Sequence, residues 1–304
     1  MTRIATVITC CDSPPLAEEA TYYARENSTK GLNEIILVDN GSFKPLPKYS
    51  ADTLIRFDIN GGPYAVHHDV IPYLDKQGVE FVAFFHTDLM IREFHWDEYV
   101  VGAFDYDPKL ALIGFLGSNE IDQLGGRGLG TMSSFMGYEY KSVWASAAEV
   151  HGKRAKGLEP AAVLDHCSMI FRLSVLKEIP PASVNHVPFH FYDRIASVEV
   201  LNRGHRIAVY GLDADHASGG TGLSKARTEA DKVELGVVNR NELYKKWFRE
   251  NNIPFDEADE NLDMVMYKEG ERRFLDKWRD QLHFLPLKVN TDYSITHKHP
   301  HWRP

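Results

Sequence analysis

The sequence is poor in cysteine, has no long apolar run and carries no excess of basic residues. Its three cysteines, Cys10, Cys11 and Cys167, are too few for a disulfide framework, so we expect a reducing compartment, the cytoplasm. No apolar run approaches the roughly 20 residues that a transmembrane helix needs, and residues 1–8 lack the apolar core and cleavage site of a signal peptide. The net charge of −9 argues against a broad nucleic-acid-binding surface.

The remaining composition is that of an ordinary globular protein. Hydrophobic residues make up 43% of the 304 residues and charged residues 25%, both within the usual range of such proteins. The length suits one large α/β domain with an appendage, or two domains. Because the chain is acidic, an anionic substrate would need local neutralisation by a metal ion or by clustered arginine and lysine.

Strand and helix patterns alternate along the first forty residues. Apolar runs at residues 4–9 and 34–39 are typical of buried strands, and between them Pro14 and Pro15 precede apolar residues at helical spacing. This β-α-β order predicts a parallel sheet. Further strands are predicted at residues 53–57, 81–85, 110–116, 165–172 and 206–210, and helices at residues 64–76 (with a kink or restart at Pro72), 96–104, 195–202, 241–251 and 269–282.

The predicted fold class is therefore α/β, with a mostly parallel central sheet flanked by helices. We assign this domain to residues 1–224 and a C-terminal helical extension and tail to residues 225–304, where the sequence becomes charged and helical. Residues 117–157 are rich in Gly, Ser and Met, and a stretch of that length is more often a working loop than a passive connection. The glycine-rich segments at 125–130 and 219–225 match neither a dinucleotide-binding fingerprint nor a P-loop.

Residues 81–91 are the densest apolar stretch that also carries polar groups. Five apolar residues precede His86, Thr87 and Asp88, and three more follow. Ligand sites in open α/β sheets lie at the carboxyl ends of strands, and a carboxylate in such a run is costly to bury unless it is paired. We predict a site here for a divalent metal and a phosphate group. The alternative is a strand end whose Asp88 caps the next turn.

Four motifs, in this order, resemble those of family 2 glycosyltransferases. The segment Ile-Leu-Val-Asp-Asn-Gly-Ser at residues 36–42 is similar to the family's "VVDNGS" turn, and Asn-Gly-Gly at 60–62 to its "N-x-G" segment. His-Thr-Asp at 86–88 stands where the family has its Asp-x-Asp metal motif, with His86 in place of the first Asp. Phe-Tyr-Asp at 191–193, followed by a helix and His216, resembles the end of the catalytic domain, with Tyr192 in place of one acidic residue. The resemblance covers roughly residues 4–222.

The resemblance implies a GT-A fold and a metal-dependent, inverting glycosyltransferase. Such an enzyme moves a sugar from a nucleotide-diphosphate donor, here expected to be a UDP-sugar, to a hydroxyl of a glycan or another acceptor. Asp193 would be the general base that deprotonates the acceptor hydroxyl. Asp88 and His216 would hold Mn²⁺ or Mg²⁺, with His86 as a third ligand or as a contact to ribose or phosphate. The alternatives are that Asp193 caps a helix and that His216 lies on the surface.

The donor would contact residues on several strand ends. Asp39 would read the nucleobase edge, although an Asx turn explains it equally well. Asp165 would line the sugar or acceptor pocket, or else form a strand-entry turn. The full set of expected donor contacts is Thr9, Cys11, Asp39, Asn60, Gly62, His86 and Asp165.

Two other functions remain open at this point. One is a non-catalytic carbohydrate- or nucleotide-binding protein on the same fold, which the replacement of the first metal-motif Asp by His86 suggests. The other is a nucleotidyltransferase, but such enzymes carry a glycine-rich basic loop after the first strand, and residues 10–15 are not one. The sequence does not identify the sugar, the acceptor or an oligomeric state.

Overall fold

The computed structural model describes residues 2–121, 125–127, 130–134, 152–180, 187–216, 237–259 and 262–282. The strands are β1 (Ile4–Cys10), β2 (Asn33–Asn40), β3 (Thr53–Phe57), β4 (Phe81–His86), β5 (Leu89–Ile91), β6 (Leu110–Gly114), β7 (Leu116–Ser118), β8 (Thr131–Ser133), β9 (Lys153–Arg154), β10 (Leu158–Ala161), β11 (Val163–Leu164), β12 (Ser168–Arg172), β13 (Arg206–Tyr210) and β14 (Ala214–His216). The helices are α1 (Pro14–Glu26), α2 (Pro63–Asp69), α3 (Ile71–Gln77), α4 (Trp96–Tyr106), α5 (Leu173–Leu176), α6 (Tyr192–Asn202), α7 (Val237–Glu250) and α8 (Asp263–Leu282).

The central sheet has eight strands in the order β10-β13-β6-β12-β4-β1-β2-β3. Strands β1 to β4 pair in parallel, and β13 pairs in parallel with β6. Only β12 and β10 run against their neighbours. The carboxyl ends of β1, β2, β3 and β4 therefore meet along one edge, where ligands bind in sheets of this kind. A four-stranded sheet (β11-β7-β8-β9) and the pair β14-β5 extend that edge.

Helices cover both faces of the sheet and bury it. On one face, small residues of α1 such as Ala17 and Ala20 and the indole of Trp96 in α4 pack against the strands. On the other face, Tyr64 of α2 and Leu74 of α3 pack with the ring of Tyr192 in α6. Burial on both faces explains why the strand sequences are continuous apolar runs rather than alternating ones.

Most of the predicted elements are present, but several have other bounds. Strand β12 begins at Ser168 rather than at residue 165, and α7 and α8 begin at Val237 and Asp263 rather than at residues 241 and 269. The predicted strand at 110–116 is divided into β6 and β7, which belong to different sheets. The predicted helix at 64–76 is divided at Val70, and Pro72 stands in the first turn of α3, where its missing N–H is tolerated. The predicted helix at 195–202 begins three residues earlier, at Tyr192.

The C-terminal helices pack on each other and on α6. Tyr244 and Phe248 of α7 share a buried cluster with Met266 of α8. Farther along α8, Phe274 and Trp278 share a second cluster with residues of α6 and its entry segment. The predicted boundary at 224/225 lies outside the described residues and stays a prediction. No helix in the described part of the chain is both long enough and apolar enough to cross a membrane.

Candidate donor and metal site

A cavity of about 110 Å³ lies at the carboxyl edge of the sheet. Five of the residues predicted from the sequence line it together: Thr9, Cys11, Asn60, His86 and Asp88. They come from the ends of β1, β3 and β4, so the parallel order of these strands is what brings them to one place. Phe189 and Arg240 also line the cavity, which the sequence did not lead us to expect.

The predicted metal ligands meet beside this cavity. Strand β14 pairs antiparallel with β5, and His216 stands opposite Leu89, which brings His216 against Asp88 in the preceding turn. The Asp88 Oδ1 atom lies 3.3 Å from His216 Nε2 and 3.7 Å from His86 Nδ1. One ligand atom from each residue lies within 4.8 Å of the others.

This donor set fits a divalent cation. Ions of the first transition row bind nitrogen and oxygen ligands at about 2.0–2.2 Å, so atoms separated by 3.3 Å and 3.7 Å are compatible with a shared ion. One carboxylate and two imidazoles suit Mn²⁺, which tolerates nitrogen, better than Mg²⁺, which prefers oxygen.

The local charges bias the protonation states of this cluster. Burial, and next the charge of His166, lower the pKa of His86 to about 3, so the imidazole is neutral at pH 7 and able to bind a metal. Burial raises the pKa of Asp88, but the attraction of His216 and His86 outweighs it and leaves that pKa below its ordinary value. Burial opposes the charged form of His216, yet Asp88 raises its pKa.

A second polar cluster adjoins the first and consists of Asp165, His166 and Asp193. His166 Nδ1 lies 3.5 Å from Asp193 Oδ2 and 3.8 Å from Asp165 Oδ1. The rings of His166 and His86 are 4.2 Å apart between centroids, and His86 Nε2 is 3.4 Å from the Tyr192 hydroxyl. The two clusters thus form one continuous polar surface.

Asp193 is buried and held by a cation. It lies in the first turn of α6, not at the N-cap, which is Phe191. Arg194 donates to both carboxylate oxygens at 2.9 Å, and the exposed fraction of the Asp193 side chain is 2% against 31% for His166. Burial raises the pKa of Asp193, but the charges of Arg194 and His166 lower it further than burial raises it. His166 is therefore the member of the pair that faces solvent.

Two predicted donor contacts are engaged within the protein. The buried Asp39 carboxylate accepts from the backbone N–H groups of Ser42 and Leu46, both at 3.0 Å, and pairs with Arg56. These bonds form the kind of turn that was the alternative explanation for Asp39. A contact between Asp39 and a nucleobase stays a prediction. Asp165 pairs with Arg127 and accepts from the backbone N–H of Cys167.

Asn60 and Gly62 shape the loop after β3. Asn60 Oδ1 accepts from Asn40 Nδ2 at 3.0 Å and from the backbone N–H of Gly62 at 2.9 Å. Gly62 has φ +80° and ψ 163°, a conformation that is essentially restricted to glycine. A β-carbon there would lie 2.1 Å from the carbonyl oxygen of Pro188. The glycine lets the segment before α6 approach this loop closely.

No family model matches the chain, and no curated protein matches it in sequence. Among solved structures, GalNAc-T7 with UDP, GalNAc and Mn²⁺ aligns with a TM-score of 0.53 and 10% identity, over 99% of this chain and 58% of that one. Residues 1–349 of S. aureus TarS align with a TM-score of 0.45 and 15% identity, over 95% and 76%. A mannosyltransferase of Pyrobaculum calidifontis with GDP-Man and Mn²⁺ aligns with a TM-score of 0.44 and 11% identity, over 93% and 72%.

At these sequence identities the similarity concerns the fold alone. Of the three alignments, the one with GalNAc-T7, with a TM-score of 0.53, supports that conclusion. The element order and the mostly parallel sheet described above agree with it. The chain has the GT-A fold that the sequence predicted.

Proposed function

We propose that the chain is a metal-dependent glycosyltransferase that uses a nucleotide-diphosphate sugar, expected to be UDP-linked. The observation that carries the proposal is the meeting of Asp88, His86 and His216 around a common centre, at the carboxyl edge of a GT-A sheet and beside a cavity. Neither the fold nor a group of three ligating side chains would suffice alone, because each occurs in proteins of other functions.

Asp88, His216 and His86 are the residues that would hold the cation. When bound, a divalent ion offsets the negative charge that grows on a leaving diphosphate. Thr9, Cys11 and Asn60 line the same cavity and would contact the nucleoside.

Transfer with inversion would use Asp193 together with His166. A carboxylate whose pKa is lowered and whose oxygens are held by Arg194 is a weak base on its own. The imidazole of His166 is the more exposed partner and could accept the proton of an acceptor hydroxyl while Asp193 holds its orientation. The acceptor hydroxyl would then attack the anomeric carbon from the side opposite the diphosphate.

Donor hydrolysis and transfer, followed with a panel of UDP- and GDP-sugars with and without Mn²⁺, test the proposal. We expect turnover of at least one donor and its loss when the metal is chelated. No turnover and no metal-dependent nucleotide binding would refute it. Asp193→Asn should leave donor binding unchanged and remove transfer, and His166→Gln should behave alike. Full transfer by Asp193→Asn would refute the role given to that carboxylate.

One observation favours a non-catalytic binding protein on the same fold. Arg194 occupies both oxygens of Asp193, an arrangement that would suit a purely structural ion pair. Nucleotide-sugar affinity that does not change on chelation of the metal, together with no transfer to a broad acceptor panel, would support this second function.

A further inference from the structure

The first turn of α7 forms part of the wall of the cavity, although it lies far along the chain from the sheet. Arg240 lines the cavity together with Thr9, Asn60 and Asp88. Among the described residues that line this cavity, it is the only arginine or lysine. A nucleotide diphosphate entering here would therefore meet both this guanidinium and two of the candidate metal ligands, His86 and Asp88.

Asn239 fastens this turn to the sheet edge. Its Nδ2 donates to Asp12 Oδ2 at 3.0 Å and to the carbonyl oxygen of Gly41 at 2.8 Å. Its Oδ1 accepts from Asn60 Nδ2 at 3.1 Å. These three partners follow β1, β2 and β3 respectively, so one buried amide connects α7 to the loops at three successive strand ends. The next residue, Arg240, is positioned by these bonds.

The side chain of Arg240 is mostly buried, and among the described residues few of its possible hydrogen bonds are formed. Its guanidinium lies 5.8 Å from the centroid of the Phe189 ring and 6.0 Å from that of Tyr244. Its ion pair with Asp263 is long, 3.8 Å, and the same Asp263 oxygen already accepts from the Tyr244 hydroxyl at 2.8 Å. The buried Nε has no hydrogen-bond partner among the described residues.

A guanidinium has five N–H donors, and a buried donor without a partner, such as Arg240 Nε, is costly. A phosphate group provides several acceptor oxygens and matches the guanidinium fork in a bidentate manner. The cation–π contacts with Phe189 and Tyr244 use none of its N–H donors. The arrangement is therefore suited to an anion that enters from the cavity.

We propose that Arg240, fixed in place by Asn239, binds the diphosphate of the donor in the cavity that Asp88 and His86 also line. This inference rests on the proposed function. It assigns to the C-terminal helical extension a direct part in donor recognition and a contact to phosphate rather than to the nucleoside. Binding of uridine, which has no phosphate, should not depend on Arg240.

The test compares UDP and uridine binding in the presence of Mn²⁺, by calorimetry for UDP and by ligand-observed NMR for uridine. Arg240→Gln should weaken UDP binding about tenfold to 100-fold and leave uridine binding unchanged. Arg240→Lys, which keeps the charge without the fork, should lose less. The matched control is Arg249→Gln on the same helix, because Arg249 is exposed and pairs with Glu257, and it should bind UDP as the wild type does.

Thermal unfolding of each variant shows whether it is folded. Equal UDP affinity of Arg240→Gln and wild type would overturn the inference while leaving the proposed function intact. An equal loss for UDP and uridine would also overturn it, because the residue would then only shape the wall. Absence of UDP binding by the wild type would instead count against the proposed function itself.

Discussion

Gly62 offers a test of how the site is built, because replacing it by alanine should disturb two segments at once. Its backbone adopts φ +80° and ψ 163°, and an L-residue in this region costs about 1–3 kcal/mol. The added β-carbon would also lie 2.1 Å from the carbonyl oxygen of Pro188, which forces the backbone to move. We expect Gly62→Ala to lower the free energy of unfolding by about 3 kcal/mol or more.

Gly78→Ala is the matched control. Gly78 has φ +69°, and no heavy atom lies within 4 Å of its hypothetical β-carbon. The control therefore carries only the cost of the left-handed conformation, about 1–2 kcal/mol. Urea unfolding of both variants, followed by circular dichroism, measures the difference. Equal destabilisation by the two substitutions would refute the claim that the close approach of Pro188 to Gly62 contributes to the fold.

Three further outcomes follow from packing and charge. Trp278→Ala in α8 should lower the free energy of unfolding in urea by about 3–5 kcal/mol, because the indole is 2% exposed. Met264, on the same helix, is 59% exposed, and Met264→Ala should change that free energy by no more than about 0.5 kcal/mol. Equal effects would show that α8 does not pack as described. Burial raises the pKa of Cys10 to about 12 and also raises that of the other two thiols. Iodoacetamide at pH 7.5 should therefore label the cysteines in urea but not in the native protein, and rapid native labelling seen by mass spectrometry would contradict this. Burial raises the pKa of Asp263, but a hydrogen bond from His190 and nearby positive charge leave that pKa below its ordinary value. The ionised carboxylate therefore stabilises the fold above about pH 4, and this contribution to stability is lost as the pH falls. Asp263→Asn should lower the urea midpoint at pH 7 and differ less from wild type at pH 3; a constant difference would contradict this.

The sheet could be predicted from the sequence because its strands are buried on both faces. The predicted strands at 53–57 and 206–210 have the bounds that the structure gives to β3 and β13. The start of α6 could not be predicted, because Phe191 adopts φ +65° immediately before it, and an aromatic residue gives no signal for a left-handed backbone.

The candidate site was predictable only in part. The sequence indicated Asp88 and His216 as partners through the family resemblance, but strands β5 and β14, which bring them together, have three residues each and no usable periodicity. The ion pair of Asp193 with Arg194 joins neighbours in the chain, so an adjacent cation was a signal that could have been used. The contact of Asn239 with Asp12 depends on how α7 packs, and no local pattern reports it.

Calorimetric titration with Mn²⁺, in the presence of UDP, of wild type and Asp88→Asn tests the central claim most directly. The isosteric amide keeps the packing of the turn but removes the charge shared with His216 and His86. Removing a group that only orients a metal ligand lowers metal affinity about 10–100-fold. If Asp88 is itself a ligand, Asp88→Asn should lower the Mn²⁺ affinity more than about 100-fold. Undiminished Mn²⁺ affinity of Asp88→Asn would contradict the account.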